Sequence, residues 1–162
     1  GLKPVHRLDF ETSGVVVFAK NPTVLDKILR NDFKGWKKRY LAIVIGHPAE
    51  KKGDIDIALS PRSGVGKVES HTGYKVVEEI GPVSLIEADI EGGQFHQIRK
   101  HFAMIKHPLV LDDEHGDPKF NRRFSKLFKL QRFFLHASSV SFPHPVTGMW
   151  VKIDSPLPQS AG

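Results

Sequence analysis

The alternation of apolar and polar positions divides the chain into short segments joined by glycine and proline turns. VVVFAK (15–20) reads as a buried strand, and Asn21 then caps a helix that opens on Pro22 and recurs in Val24, Leu25, Ile28 and Leu29. RYLAIVIG (39–46) has the β-branched composition of a strand, whereas 64–73 has that of a mobile loop. YKVVEE (74–79) and VSLIEADIE (83–91) flank Gly81-Pro82 as a hairpin. Phe95, Ile98, Phe102 and Ile105 fall at helical spacing after Gly92-Gly93. Phe120, Phe124, Leu127 and Phe128 do so again, predicting a second amphipathic helix that buries them and turns Arg123, Lys126 and Lys129 outward. FLHASSVSF (134–142) and MWVKI (149–153) close the chain as strands around His144-Pro145. Six strands and three helices, with sequential strands joined by short turns, predict an α+β fold with a largely antiparallel sheet.

Composition narrows the class. With 162 residues, 40% hydrophobic and 26% charged, the chain has the size and balance of one folded domain without repeats or low-complexity linkers. No apolar run approaches the roughly 18 residues of a membrane span, so no membrane partner is expected. The absence of cysteine excludes disulfides and thiolate chemistry and suits a cytoplasmic setting. The net charge of +6 is concentrated: six basic residues face one acid between Lys27 and Arg39, and six face none between Pro118 and Phe133. Two such clusters favour a polyanion, of which nucleic acid is the commonest.

VHRLD (5–9) sets charge beside the apolar VVVF. In extended chain Arg7 and Asp9 share a face, and a carboxylate at the edge of a core works as nucleophile or base only where a cation offsets its desolvation. Taken alone, an Arg and an Asp two apart are more often a surface pair.

Four blocks decide the matter. HRLDFETSG (6–14), KRYLAIVIG (38–46), GGQFHQIRKHFAMIKHPLVLDDEHG (92–116) and FLHASSVSFPHPVTG (134–148) resemble HRLDxxTSG, KxYxAxVxG, GRTHQIRxHLAxIGHPxxGDxxYG and LHAxxLxFxHPxTG of the RluA-type pseudouridine synthases, in the same order and across nearly the whole chain. The resemblance implies the synthase catalytic fold, an α+β mixed sheet with flanking helices. It implies that Asp9 is the catalytic carboxylate, that Tyr40 packs on the target base, and that Arg99 pairs with Asp9. Arg7 falls where an arginine occupies the space left by a flipped nucleotide, Leu135 on the apolar wall around the base, and His96 at the substrate. Arg123, Lys126 and Lys129 are expected to hold phosphates.

Such an enzyme isomerises uridine to pseudouridine in structured RNA, tRNA or rRNA, as a monomer, without DNA, metal or organic cofactor. KFNRRFSKLFKL (119–130) resembles an Asn-Arg insertion of tRNA-modifying members and tilts the expectation slightly toward tRNA. The chain departs from the pattern at Gln94-Phe95, which replace Arg-Thr, and at His115, which replaces Tyr. Family members carry strands ahead of HRLD, so residues 1–162 are expected to be a single catalytic domain lacking its amino-terminal part. Two other readings stand beside this one. A metal-dependent hydrolase would use His96, His101, His107, Asp112, Asp113 and His115, although their spacing fits no metal motif. A non-catalytic RNA-binding protein derived from the same fold would leave Asp9 dispensable.

Overall fold

The computed structural model describes residues 3–4, 12–30, 33–128 and 133–156. In chain order the elements are β1 (Lys3–Pro4), β2 (Ser13–Gly14), β3 (Phe18–Ala19), α1 (Pro22–Arg30), β4 (Lys37–Ile45), β5 (Lys52–Asp56), β6 (His71–Ile80), β7 (Val83–Glu91), α2 (Gln97–Met104), α3 (Pro118–Phe128), β8 (Leu135–Pro143) and β9 (Trp150–Asp154). Seven strands form one sheet in the order β2-β8-β4-β7-β6-β5, with β9 paired to β8, and β1 pairs with β3 apart from it. The sheet is antiparallel except where β2 runs parallel to β8.

Strict alternation builds the centre. Along β7 the residues Ile86, Ala88 and Ile90 are buried while Asp89 and Glu91 are exposed. Ala42 and Val44 of β4 join them beneath Ile98 and Phe102 of α2. A second cluster gathers Val15, Ala19, Ile28, Trp36, Val140 and Phe142 under α1. In β8 a bulge links the two clusters. Arg39 pairs with Ser139 but Tyr40 pairs with Ala137, so Ser138 is the extra residue. Leu135 and Ala137 before it, and Val140 and Phe142 after it, therefore all point inward despite the odd spacing. The Ser138 hydroxyl secures the bulge by donating to the Arg39 carbonyl at 3.1 Å.

Several expectations need correction. The strand expected over 15–20 is reduced to Phe18–Ala19, with Phe18 52% exposed. Among the described residues it pairs with Lys3 and Pro4, and Pro4 has no N–H to give the ladder. In α1 the Asn21 cap stands, its Oδ1 accepting from Val24 N at 2.9 Å, yet Leu29 faces solvent. The strand β5 went unread because KGDID offers a single apolar residue, Ile55, to the core. The segment 64–73 is not wholly a loop: Val68 bridges Leu59, and β6 begins at His71. The apolar stripe of α3 is not buried, since Leu127 is 76% and Phe128 60% exposed; Phe120 and Phe124 alone pack against the core.

Two residues of the third block, Lys106 (φ 70°) and Leu111 (φ 68°), adopt the left-handed conformation where the resembling pattern has glycine. That backbone disfavours a side chain by roughly 1–2 kcal/mol. Leu111 offsets part of the strain by burial in the core.

Candidate active site

Asp9 and Arg7 lie outside the described residues, as does Lys129. The segment that follows Asp9 is tightly placed. Ser13 and Gly14 pair with His136 and Ala137, immediately after Leu135. The Ser13 hydroxyl meets His136 Nδ1 at 2.7 Å, and His136 Nε2 donates to the Ser155 carbonyl at 2.9 Å, so the buried imidazole ties β2 to the residue that follows β9. Gly14 has φ 119°, and a Cβ there would stand 2.2 Å from the Ala137 carbonyl oxygen. Only glycine permits this approach.

Tyr40 and Leu135 belong to one core face: Ala42 pairs with Leu135, and Tyr40 packs against the cluster that holds Ala42, Leu135, Ile98 and Phe133. The Arg99 guanidinium lies over the Phe133 ring, 4.6 Å from its centroid, and so borders the same face. Arg99 is 5% exposed and is clamped by Asp112: Nε donates to Oδ2 at 2.7 Å and Nη2 to Oδ1 at 2.8 Å. Asp112 Oδ1 also accepts the amides of Glu114 and His115, each at 3.0 Å. Burial pushes the Asp112 carboxyl up, but Arg99 and those amides outweigh it and hold the group below the usual carboxylate range. Asn121 of α3 completes the loop, accepting from Leu111 N at 2.8 Å and donating to the Asp112 carbonyl at 3.0 Å. The Arg99–Asp9 pair implied by the resemblance falls outside the described residues.

His96 caps α2 in a left-handed conformation (φ 54°) and stacks on Phe95. Its Nε2 lies 3.1 Å from Arg99 Nη1, and because a guanidinium only donates, Nε2 is the acceptor. The proton therefore sits on Nδ1 and points at His115 Nε2, 3.0 Å away. The rival metal cluster disperses: His101 bonds to Thr72 and the Ile57 carbonyl, His107 to the Ile45 carbonyl, and Asp112 to Arg99. Among the described residues His96, Glu114 and His115 do converge. A metal there would have to displace the proton that the Arg99 bond places on His96 Nδ1.

Arg123 and Lys126 are exposed on α3. A groove of about 860 Å³ runs from Gln94 and Gln97, at the start of α2, past Lys37 and Arg39 to Ser141 and Lys152. Sequence reasoning named Asp112 only as a metal ligand and did not single out this groove.

Burial also lowers the imidazole pKa of His101 and His115, and Arg99 and Lys100 press His115 further down. Unfolded histidines take up protons near pH ~6.5 and these two resist in the fold. Their stability contribution is complete above that pH and is lost as pH falls from it toward the folded values. His71, raised by its bond to Asp56, acts in the opposite sense but is exposed and screened. Thermal unfolding is thus expected at lower temperature at pH ~5.5 than at pH ~7.5; an unchanged midpoint would contradict neutral buried imidazoles.

A bidentate arginine beside an apolar face, on a mixed sheet carrying these blocks, defines a class: the chain belongs to the RNA pseudouridylate synthase family, which it matches over residues 1–104. It is 39% identical to an uncharacterized RNA pseudouridine synthase of Mycobacterium bovis, over 95% of this chain and 52% of that protein. It is 35% identical to ribosomal large subunit pseudouridine synthase C of Escherichia coli, over 96% of this chain and 53% of the relative. The chain thus spans about half the length of the curated relatives it matches. The solved structure of human RNA pseudouridylate synthase domain containing 1 superimposes with a TM-score of 0.80 at 25% identity, covering 98% of this chain and 70% of that one.

Proposed function

We propose that the protein isomerises a specific uridine to pseudouridine in structured RNA, with Asp9 as the catalytic carboxylate. The observation that carries this is the convergence of Tyr40, Leu135 and the Asp112-clamped Arg99 on one face, next to the β2–β8 pairing that begins four residues after Asp9. Four residues of chain reach at most about 14 Å, which keeps Asp9 in range of that face.

The roles follow from physics. A uridine must leave its stack, at a cost of a few kcal/mol, before a side chain reaches its glycosidic bond. Tyr40 supplies an aromatic surface for the extruded base, Leu135 an apolar wall, and Arg7 a cation to occupy the vacated space. Asp9 acts as the bond from ribose to nitrogen breaks and the base turns to rejoin through carbon, with no net oxidation. Besides the Asp112 clamp and the His96 contact, the Glu114 carboxylate stands 3.5 Å from Arg99 Nη2, so carboxylates already gather at this guanidinium. Asp112 would then fix the guanidinium while Arg99 keeps Asp9 ionised and oriented. His96 acts through Arg99 as a positioning residue.

Substrate choice is open between tRNA and rRNA, and the naming of the Escherichia coli relative for the large ribosomal subunit favours rRNA over the tRNA tilt of the 119–130 segment. Mapping pseudouridines in RNA from cells lacking the gene tests the proposal: a single missing site identifies the substrate, and an unchanged map refutes the activity. Replacing Arg123, Lys126 and Lys129 together by alanine is expected to weaken RNA binding and flatten log K against log salt by about two to three units, without changing which uridine is modified. Identical slopes for wild type and triple variant in filter binding would show that α3 does not meet phosphate.

A further inference from the structure

Register places a row of side chains across three strands at the far end of the groove. Lys37 of β4 pairs with Ser141 of β8, and Ser141 pairs with Lys152 of β9. With strands about 4.8 Å apart, the two lysines stand roughly 10 Å apart at their Cα atoms, with only a small hydroxyl residue between them. Trp150 lies two residues before Lys152 on the same face of β9, paired with Pro143 and 56% exposed. The Lys37 ammonium sits 6.0 Å from its ring centroid. Gly35 packs on Pro143, bringing the exposed Lys34 to the same corner.

We propose that Lys37, Ser141, Lys152 and Trp150 form a nucleotide subsite for single-stranded RNA: a backbone phosphate lies between the two ammonium groups above the Ser141 hydroxyl, and its base stacks on the Trp150 ring. The subsite rests on the reading of the protein as an RNA-modifying enzyme, and it holds a nucleotide other than the one isomerised. Stacking on an exposed indole is favourable for any base, and paired lysines supply the charge that the phosphate requires. Lys37, Ser141 and Lys152 share one groove with Gln94 and Gln97, and also with the acids Glu69, Asp89 and Glu91. Acids lie nearby: Asp154 is 3.8 Å from the Lys152 ammonium, and Glu91 is the register neighbour of Lys37 on β7. Such exposed pairs are weak and yield to a phosphate at little cost. Val146 and Met149 are also exposed beside Trp150 and would suit a protein surface, but the flanking lysines favour the polyanion.

The other tryptophan, Trp36, is 3% exposed and stacked on Phe142 at 4.3 Å, so changes in emission on adding ligand report Trp150. Titrating the protein with a short single-stranded oligouridylate is expected to quench this emission. Trp150→Ala should weaken binding by about 5- to 100-fold, with Trp150→Phe retaining much of the affinity. The Lys37→Ala, Lys152→Ala double variant should flatten the salt dependence by about 0.7 in slope for one phosphate lost. Wild-type affinity in Trp150→Ala would overturn the subsite. So would emission that changes with protein concentration and not with RNA, which would mark a contact between copies of the chain. Pseudouridine formation is scored separately: if it occurs while the Trp150 and lysine variants bind normally, the subsite falls and the enzyme reading stands. If binding depends on these residues but no pseudouridine forms, the enzyme reading falls instead.

Discussion

Asp9→Asn is expected to remove pseudouridine formation, by about four orders of magnitude or more, while leaving the fold and most of the RNA affinity in place. Removing a group that performs the chemistry typically costs this much, because the remaining site binds but does not react. Asparagine keeps the size and much of the hydrogen bonding of aspartate, so the change isolates the charge. The proposed phosphate contacts lie elsewhere, on α3 and along the groove, and their contribution to affinity would be independent of the carboxylate. The check is twofold: nucleoside analysis of the RNA for product, and filter binding for affinity. A non-catalytic RNA-binding protein would bind equally with either residue and form no product with either.

The second large effect concerns stability. Asp112→Ala is expected to destabilise the protein by about 3–5 kcal/mol, because it strands the Arg99 guanidinium, 5% exposed, without its carboxylate. It also strips the Glu114 and His115 amides of their acceptor. A urea titration should show the midpoint falling with the slope preserved. Asp112→Asn keeps one acceptor oxygen and should fall between the two. A midpoint equal to wild type in Asp112→Ala would mean that Arg99 is not held as described, and the positioning role of Asp112 would go with it.

Legibility varied with the kind of information each element needed. β7 and its hairpin with β6 were readable because a period of two, a Gly81-Pro82 turn and a buried face all agree locally. β5 was not, because an edge strand with one inward residue carries almost no period. Arg99 was legible only through its block, and the pairing expected from the resemblance was with Asp9. The partner that the described residues reveal, Asp112, stands thirteen positions on within the same block, next to the Leu111 backbone that turns the chain toward it. The aspartate and Gly116 of that block were the available signal. The row of Lys37, Ser141 and Lys152 depends on strand register and on the Ser138 bulge, which no local pattern specifies. α3 misled in the other direction: a clean apolar stripe predicted burial, and Leu127 and Phe128 stand exposed.

Conversion of uridine to pseudouridine through Asp9 is the activity proposed for this chain. The direct measurement is the pseudouridine content of one structured RNA transcript after incubation with wild-type protein and, in parallel, with Asp9→Asn. New pseudouridine at a single position with wild type and none with Asp9→Asn is the predicted result; equal product from both, or none from wild type on any tRNA or rRNA transcript, would contradict it.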